Sequence, residues 1–80
     1  MGGKTAPSRA AILRFVGETV RGQRETKQWS QEELAFRSGL DRTYVGGVER
    51  GERNIGVVNL VRIAQALSVS PSSLLEGLPS

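Results

Sequence analysis

Arg42, Thr43 and Tyr44 stand in a row directly after Asp41, in a chain of 80 residues that has neither histidine nor cysteine. At a helix start, side chains of these three types can reach base edges or phosphates. An arginine can pair bidentately with a guanine edge. A threonine can offer its methyl to thymine or its hydroxyl to a phosphate, and a tyrosine can bond a phosphate or lie against bases. Without His or Cys there is no thiolate chemistry, no Cys/His zinc site and no triad built on either residue. Scattered carboxylates and hydroxyls remain, which makes an enzyme a poor reading. Gly2-Gly3-Lys4-Thr5 ends like a phosphate-binding loop, but the upstream glycine and strand that such a loop requires are missing. No metal, cofactor or small-molecule ligand is expected.

For the trio to work, something must hold it outward. Ser30 can cap a helix, with Glu33 three residues on completing a capping box. Gly39 stops that helix, because glycine takes the left-handed backbone at little cost. Asp41 then caps a second helix two residues later. Helices joined by so short a turn cross steeply, which is helix-turn-helix geometry, here spanning residues 30–51. Leu34, Leu40, Val45 and Val48 are apolar at the inward positions, and Ala35 is small where the helices approach. The second helix presents Arg42-Thr43-Tyr44 at its N-terminus, where base edges and phosphates are reached.

The runs Ser30-Gln31-Glu32-Glu33-Leu34-Ala35, Ser38-Gly39-Leu40 and Val48-Glu49-Arg50-Gly51 resemble the lambda Cro/repressor-like helix-turn-helix family. The longer run Ser38 to Val45, then Gly47-Val48-Glu49-Arg50-Gly51, Arg53 and Asn54, resembles the controller proteins of restriction-modification systems. The resemblance covers roughly Val16 to Leu75. It implies an all-α fold, a compact five-helix bundle of the lambda repressor-like type. It also implies a sequence-specific regulator that reads an operator on double-stranded DNA as a homodimer and represses or activates by position. RNA polymerase is then a candidate further partner. A phage-type repressor, or an antitoxin-like or bridging protein-interaction module on the same fold, are the rival readings.

The remaining site residues follow. Arg42, Thr43 and Tyr44 are the candidate base readers, joined by Arg53, which the resemblance places in a loop that reaches the groove. Gln31, at a helix N-terminus with free N–H groups, is a phosphate candidate, the resemblance places Asn54 near the phosphates as a second, and Arg21 and Arg37 are looser ones. The resemblance pairs Arg24, late in the first helix, with Glu49, at the end of the recognition helix, as a structural ion pair. Gly46-Gly47 costs a helix roughly 1 kcal/mol per glycine. The reason is either close backbone approach to DNA or packing clearance. Val57, Val58, Val61, Val69, Leu75 and Leu78 remain once the core stripe is filled. They suggest a dimer interface, with two recognition helices about 34 Å apart; alternatively they widen a small core.

The other elements read as follows. Residues 1–8 form a Gly/Ser/Pro-rich tail expected to be disordered, and residues 9–76 form the domain. The first helix starts at Ser8 or Arg9 and runs to about Thr26, with Ile12, Phe15, Val16 and Val20 on one face. Gly17 and Gly22 weaken it by roughly 1 kcal/mol each if they face solvent. Related proteins often carry glycine near Gln28 in the turn that follows. Trp29 is read as a staple against the core. A fourth helix covers about Val57 to Leu67, with Leu60, Ile63, Ala64 and Leu67 inward. A fifth runs from Pro71 to about Glu76, and residues 77–80 fray.

The net charge of +3 and pI near 10.2 favour an anionic partner, modestly. Most of the excess lies early, at Lys4, Arg9, Arg14, Arg21 and Arg24 against Glu18. No apolar run approaches the ~20 residues that span a bilayer, so a soluble, cytoplasmic protein without membrane partners is expected.

Overall fold

The computed structural model describes residues 6–79. Most of the expected disordered tail, Gly2-Gly3-Lys4-Thr5 included, lies outside the described residues, as does Ser80. Four α-helices follow one another: α1 (Arg9–Thr26), α2 (Gln31–Ser38), α3 (Arg42–Glu49) and α4 (Val57–Leu67). A single 3-10 turn, Pro71–Leu74, follows α4. The described residues include no strand. None of their helices is long and apolar enough to cross a membrane.

Each start signal has a physical counterpart. The Ser8 hydroxyl accepts the N–H of Ala11, Ser30 accepts that of Glu33, and the Asp41 carboxylate accepts that of Thr43. Only half of the expected capping box forms, because the Glu33 carboxylate turns to Arg37 one turn on. The four helices share one way of stopping. A residue in the left-handed conformation follows the last turn, and two N–H groups reach back three and five residues, as in a Schellman motif. Gly39 (φ 73°) and Gly51 (φ 74°) end α2 and α3 in this way. Gln28 (φ 61°) and Ser68 (φ 60°) end α1 and α4 with no glycine to ease the turn. Without a glycine near position 28, α1 still ends in the same kind of turn as α2 and α3, and Gln28 carries the strain.

The fifth helix is shorter and tighter than the spacing suggests. Its bonds run from Ser73 to Ser70 and from Leu75 to Ser72, three residues apart. The serines compete with an α-helix for their own backbone: Ser73 Oγ donates to the Ser70 carbonyl, and Ser70 Oγ meets Ser72 Oγ instead of capping. The bundle is thus four α-helices and a 3-10 turn, not five helices. The segment expected to fray folds back, with the Leu78 N–H bonded to Leu75 and its side chain packed on the core.

Val16, Val20, Leu34, Ala35, Val45, Val48, Ile63, Ala64, Leu67 and Leu74 form one buried core. The apolar stripes meet there, with α3 packed against both α1 and α2, and α4 against α2. Gly22 faces open space, so its helix penalty stands. Gly17 does not face solvent: it is buried where α1 meets the end of α3. Trp29 packs against the core as a staple, and its ring also carries the Lys27 ammonium at 5.3 Å and the Arg37 guanidinium at 4.3 Å from its centroid.

Candidate nucleic-acid interface

The interface is built on α3, whose two sides have different work. Its inner side is fixed by Val45 and Val48 in the core and by Glu49 at its end. The Glu49 side chain is 3% exposed and that of Arg24 is 12% exposed. Arg24 donates from Nε to Glu49 Oε2 at 2.6 Å and from Nη2 to Oε1 at 2.9 Å, a bidentate pair. Its third nitrogen, Nη1, donates to the Trp29 carbonyl at 2.7 Å. The hydrogen bond to Glu49 raises the Arg24 pKa above its ordinary value, against the opposing effect of burial. The ion pair that the resemblance implied is present.

Gln31 joins this cluster. Its amide donates from Nε2 to Glu49 Oε1 at 3.0 Å, which ties the first residue of α2 to the last residue of α3. Of the phosphate candidates, Gln31 is therefore the one already engaged inside the molecule. Arg21 pairs with Glu25 and Arg37 with Glu33, both one helical turn away and exposed. Exposed pairs of that kind contribute little and release their arginine easily. Asn54 is exposed in the loop after α3.

The outer side holds the reading residues. Arg42 and Thr43 are exposed in the first turn of α3. Asp41 spends its carboxylate on the Thr43 N–H, and among the described residues Arg42 forms no ion pair. A cation at a helix N-terminus is mildly unfavourable, so the fold gains nothing from Arg42 at that position. Tyr44 is half-buried and packs against the core. The exposed Arg53 returns from the loop to α3 and sets its guanidinium 5.7 Å from the Tyr44 ring centroid. Arg42, Thr43, Tyr44 and Arg53 thus lie on or against one short helix, with no metal-ligand cluster among the described residues.

Two residues escaped the sequence reading. Arg50, the C-cap of α3, is paired with Glu52, and its Nη1 hangs over Gly46. Phe36 is 84% exposed. Helical spacing could have found it, since it lies about 200° around α2 from Leu34. The surplus apolar residues divide. Val69 and Leu78 pack on the core and widen it, whereas Val57 (77% exposed), Val58 (63%) and Leu75 stay on the surface and Val61 is half-buried.

Comparison with known proteins agrees with this geometry. A helix-turn-helix family model matches residues 20–74. The control protein C.SmaI of Serratia marcescens is 47% identical over 64 residues, which are 80% of this chain and 76% of that protein. The crystal structure of the restriction-modification controller protein C.AhdI from Aeromonas hydrophila superposes with a TM-score of 0.76 at 53% identity, covering 78% of this chain and 94% of that one. The restriction-modification controller protein C.Esp1396I, solved as a tetramer on its natural 35 base-pair operator, gives a TM-score of 0.76 at 39% identity, covering 84% and 88%.

Proposed function

Because this chain belongs to the helix-turn-helix family, and within it to the control proteins of restriction-modification systems, we propose that it regulates transcription as a homodimer whose α3 enters the major groove of an operator. One observation carries the reading: Arg42, which forms no ion pair among the described residues, opens α3, on a helix whose inner side is locked by the core and Glu49. A rigid helix with free donors at its N-terminus presents them in one register, which direct readout requires. Arg42, Thr43, Tyr44 and Arg53 read bases. Asn54, with Arg21 and Arg37 released from their exposed partners, supplies salt-sensitive phosphate contacts. Gln31 gives one amide proton to Glu49 and keeps the second, so it can hold α2 and α3 together and still donate to a phosphate beside them.

The test is binding to the DNA upstream of the protein's own gene, by fluorescence anisotropy, with wild type and Arg42→Ala. The variant is expected to keep the fold and to lose ~1–3 kcal/mol of discrimination at one operator position, while binding to unrelated DNA changes little. Equal loss on all sequences would make Arg42 a phosphate contact. No preference for the upstream DNA in the wild type would remove the regulator reading itself.

The dimer rests on Val57, Val58, Val61 and Leu75, the part of the C-terminal apolar set that remains outside the core. A two-fold axis through such a face makes it self-complementary. Val58→Asp is expected to weaken dimerisation by about 2–3 kcal/mol, because it would bury an unpaired carboxylate in an apolar contact. Sedimentation equilibrium reads this directly. The monomer should keep its helical circular dichroism, since residue 58 is mostly exposed in the single chain. An unchanged dimer would place the interface elsewhere.

A further inference from the structure

Gly47 is buried in the middle of α3, where glycine is a poor helix former, and the atoms above it belong to Arg53. A Cβ at position 47 would lie 2.6 Å from Arg53 Cγ, 3.5 Å from its Nε and 3.6 Å from its Cδ. Tyr44 and Gly47 are three residues apart, so they share a helix face. The guanidinium of the arginine lying on Gly47 comes to 5.7 Å from the Tyr44 ring centroid. The chain is steered there by the end of α3: the Gly47 carbonyl accepts the Glu52 N–H at 2.8 Å, and Gly51 makes the left-handed turn.

We infer that Gly47 is a positioning residue for DNA recognition: its bare Cα is the seat on which the Arg53 side chain lies back across α3, so the helix and Tyr44, rather than the exposed loop, set where this arginine points. The inference deepens the proposed function and rests on it. Preorganisation is the physical gain. A loop arginine searches many rotamers before it meets a base, whereas one laid on a glycine and stacked on a tyrosine has lost most of that freedom before DNA arrives. Gly46 is the contrasting neighbour. A Cβ there would meet Arg50 Nη1 at 3.1 Å and Gln31 Oε1 at 3.3 Å, side-chain ends that need give only by a few tenths of an ångström, and none of its three nearest atoms belongs to Arg53. A Cβ at Gly47 meets the root of the Arg53 side chain, which must leave its rotamer.

The test uses the full chain as wild type, Gly47→Ala, Arg53→Ala and the double variant, with Gly46→Ala as the control. Operator binding by Gly47→Ala is expected to weaken by about tenfold, the scale of one misplaced arginine contact. In the Arg53→Ala background the same substitution should change binding by less than about twofold, since the seat then has no occupant. If the glycine instead serves close approach of the backbone to DNA, the loss persists in full without Arg53, and the inference is overturned. A second readout needs no DNA. The Arg53 side-chain proton resonances are expected to carry a ring-current shift from Tyr44, which Gly47→Ala abolishes and Gly46→Ala keeps. An Arg53 spectrum unchanged by Gly47→Ala also overturns the inference, whatever the wild type does on DNA. Absence of operator preference in the wild type, with the ring-current result as expected, would remove the regulator reading and leave the seat standing.

Discussion

Replacing Gly17 by alanine is expected to destabilise the domain by about 3 kcal/mol, although the same exchange in an exposed helix adds stability. The reason is backbone. A Cβ on Gly17 would lie 2.7 Å from the Glu49 carbonyl oxygen and closer still to that of Val48. Neither oxygen can step aside. The Val48 carbonyl accepts the Gly51 N–H that closes the end of α3, and the Glu49 side chain is clamped by Arg24. To admit one methyl, α1 and α3 must separate along the contact that also buries Val16, Val20 and Val48. Gly22 supplies the control within the same helix, since nothing lies within 4 Å of its Cβ position. Gly22→Ala is expected to stabilise by up to about 1 kcal/mol. Urea denaturation of both variants checks the pair, and equal effects at the two positions would show that α1 and α3 do not approach this closely. A second consequence is functional. Whatever Gly17→Ala protein remains folded should bind its operator less well, because the methyl tilts α3, the helix proposed to read DNA.

Gly17 also marks the limit of what the sequence tells. Periodicity identified the face that carries Phe15, Val16 and Val20, but it could not say that a neighbouring helix would cross one residue away. A glycine in a helix looks the same on paper whether it touches water or a carbonyl oxygen. The features that could be read in advance are local. Ser30, Gly39 and Asp41 act on their own backbone within a few residues, so α2, α3 and the turn between them were legible. Arg24 and Glu49 are 25 residues apart, and only the family resemblance joined them. The last element starts at Pro71 as its Ser-Pro signal indicates, but its 3-10 form and early end are not legible, because serine hydroxyls competing for their own carbonyls leave no mark on an apolar pattern. The Arg53 seat was invisible for a further reason. Gly47 was legible as a cost to the helix, but the side chain that makes the glycine useful arrives from beyond the helix. For the site as a whole, residue types indicated which side chains could meet DNA, and the fold supplied the constraints on them. Gln31 is engaged by Glu49, Val69 and Leu78 are drawn to the core, and Arg42 has no ion-pair partner among the described residues.

Breaking the Arg24–Glu49 pair from one side should be as damaging as any single change in the chain. Glu49→Ala is expected to cost about 3–5 kcal/mol, because it leaves the Arg24 guanidinium partly buried without its anion. A domain of this size has total stability near the low end of about 5–15 kcal/mol, so a substantial unfolded fraction at room temperature is the expected result. Arg24→Ala should cost a similar amount, since it leaves a carboxylate that is 3% exposed without its cation, with the Gln31 amide still donating to it, and frees the Trp29 carbonyl as well. Removing both charges is different. The double variant Arg24→Met with Glu49→Leu restores an apolar contact of similar volume, and such replacements of buried pairs are often neutral or stabilising. It should therefore be more stable than either single truncation. Operator binding need not follow stability. The pair, with Gln31 and the Trp29 carbonyl, fixes the end of α3 against α1 and α2 in one orientation. An apolar contact packs as well but orients less, so the double variant is expected to stay folded and to lose specific affinity by about 1–2 kcal/mol, the scale of one misaligned base contact. The pH dependence has a definite sign on the arginine side. The Arg24 pKa is raised on folding, so its contribution is complete below the unfolded-state value and is lost only as pH rises through the higher folded value, beyond the ordinary arginine range. Raising the pH from neutral to mildly alkaline should therefore leave the Arg24 contribution intact. A chemical denaturation series on the wild type, the two single variants and the double variant, run beside operator titrations, separates the two roles. A double variant as weak in stability as the singles would contradict the desolvation argument, and one with full operator affinity would show that this pair does not orient α3.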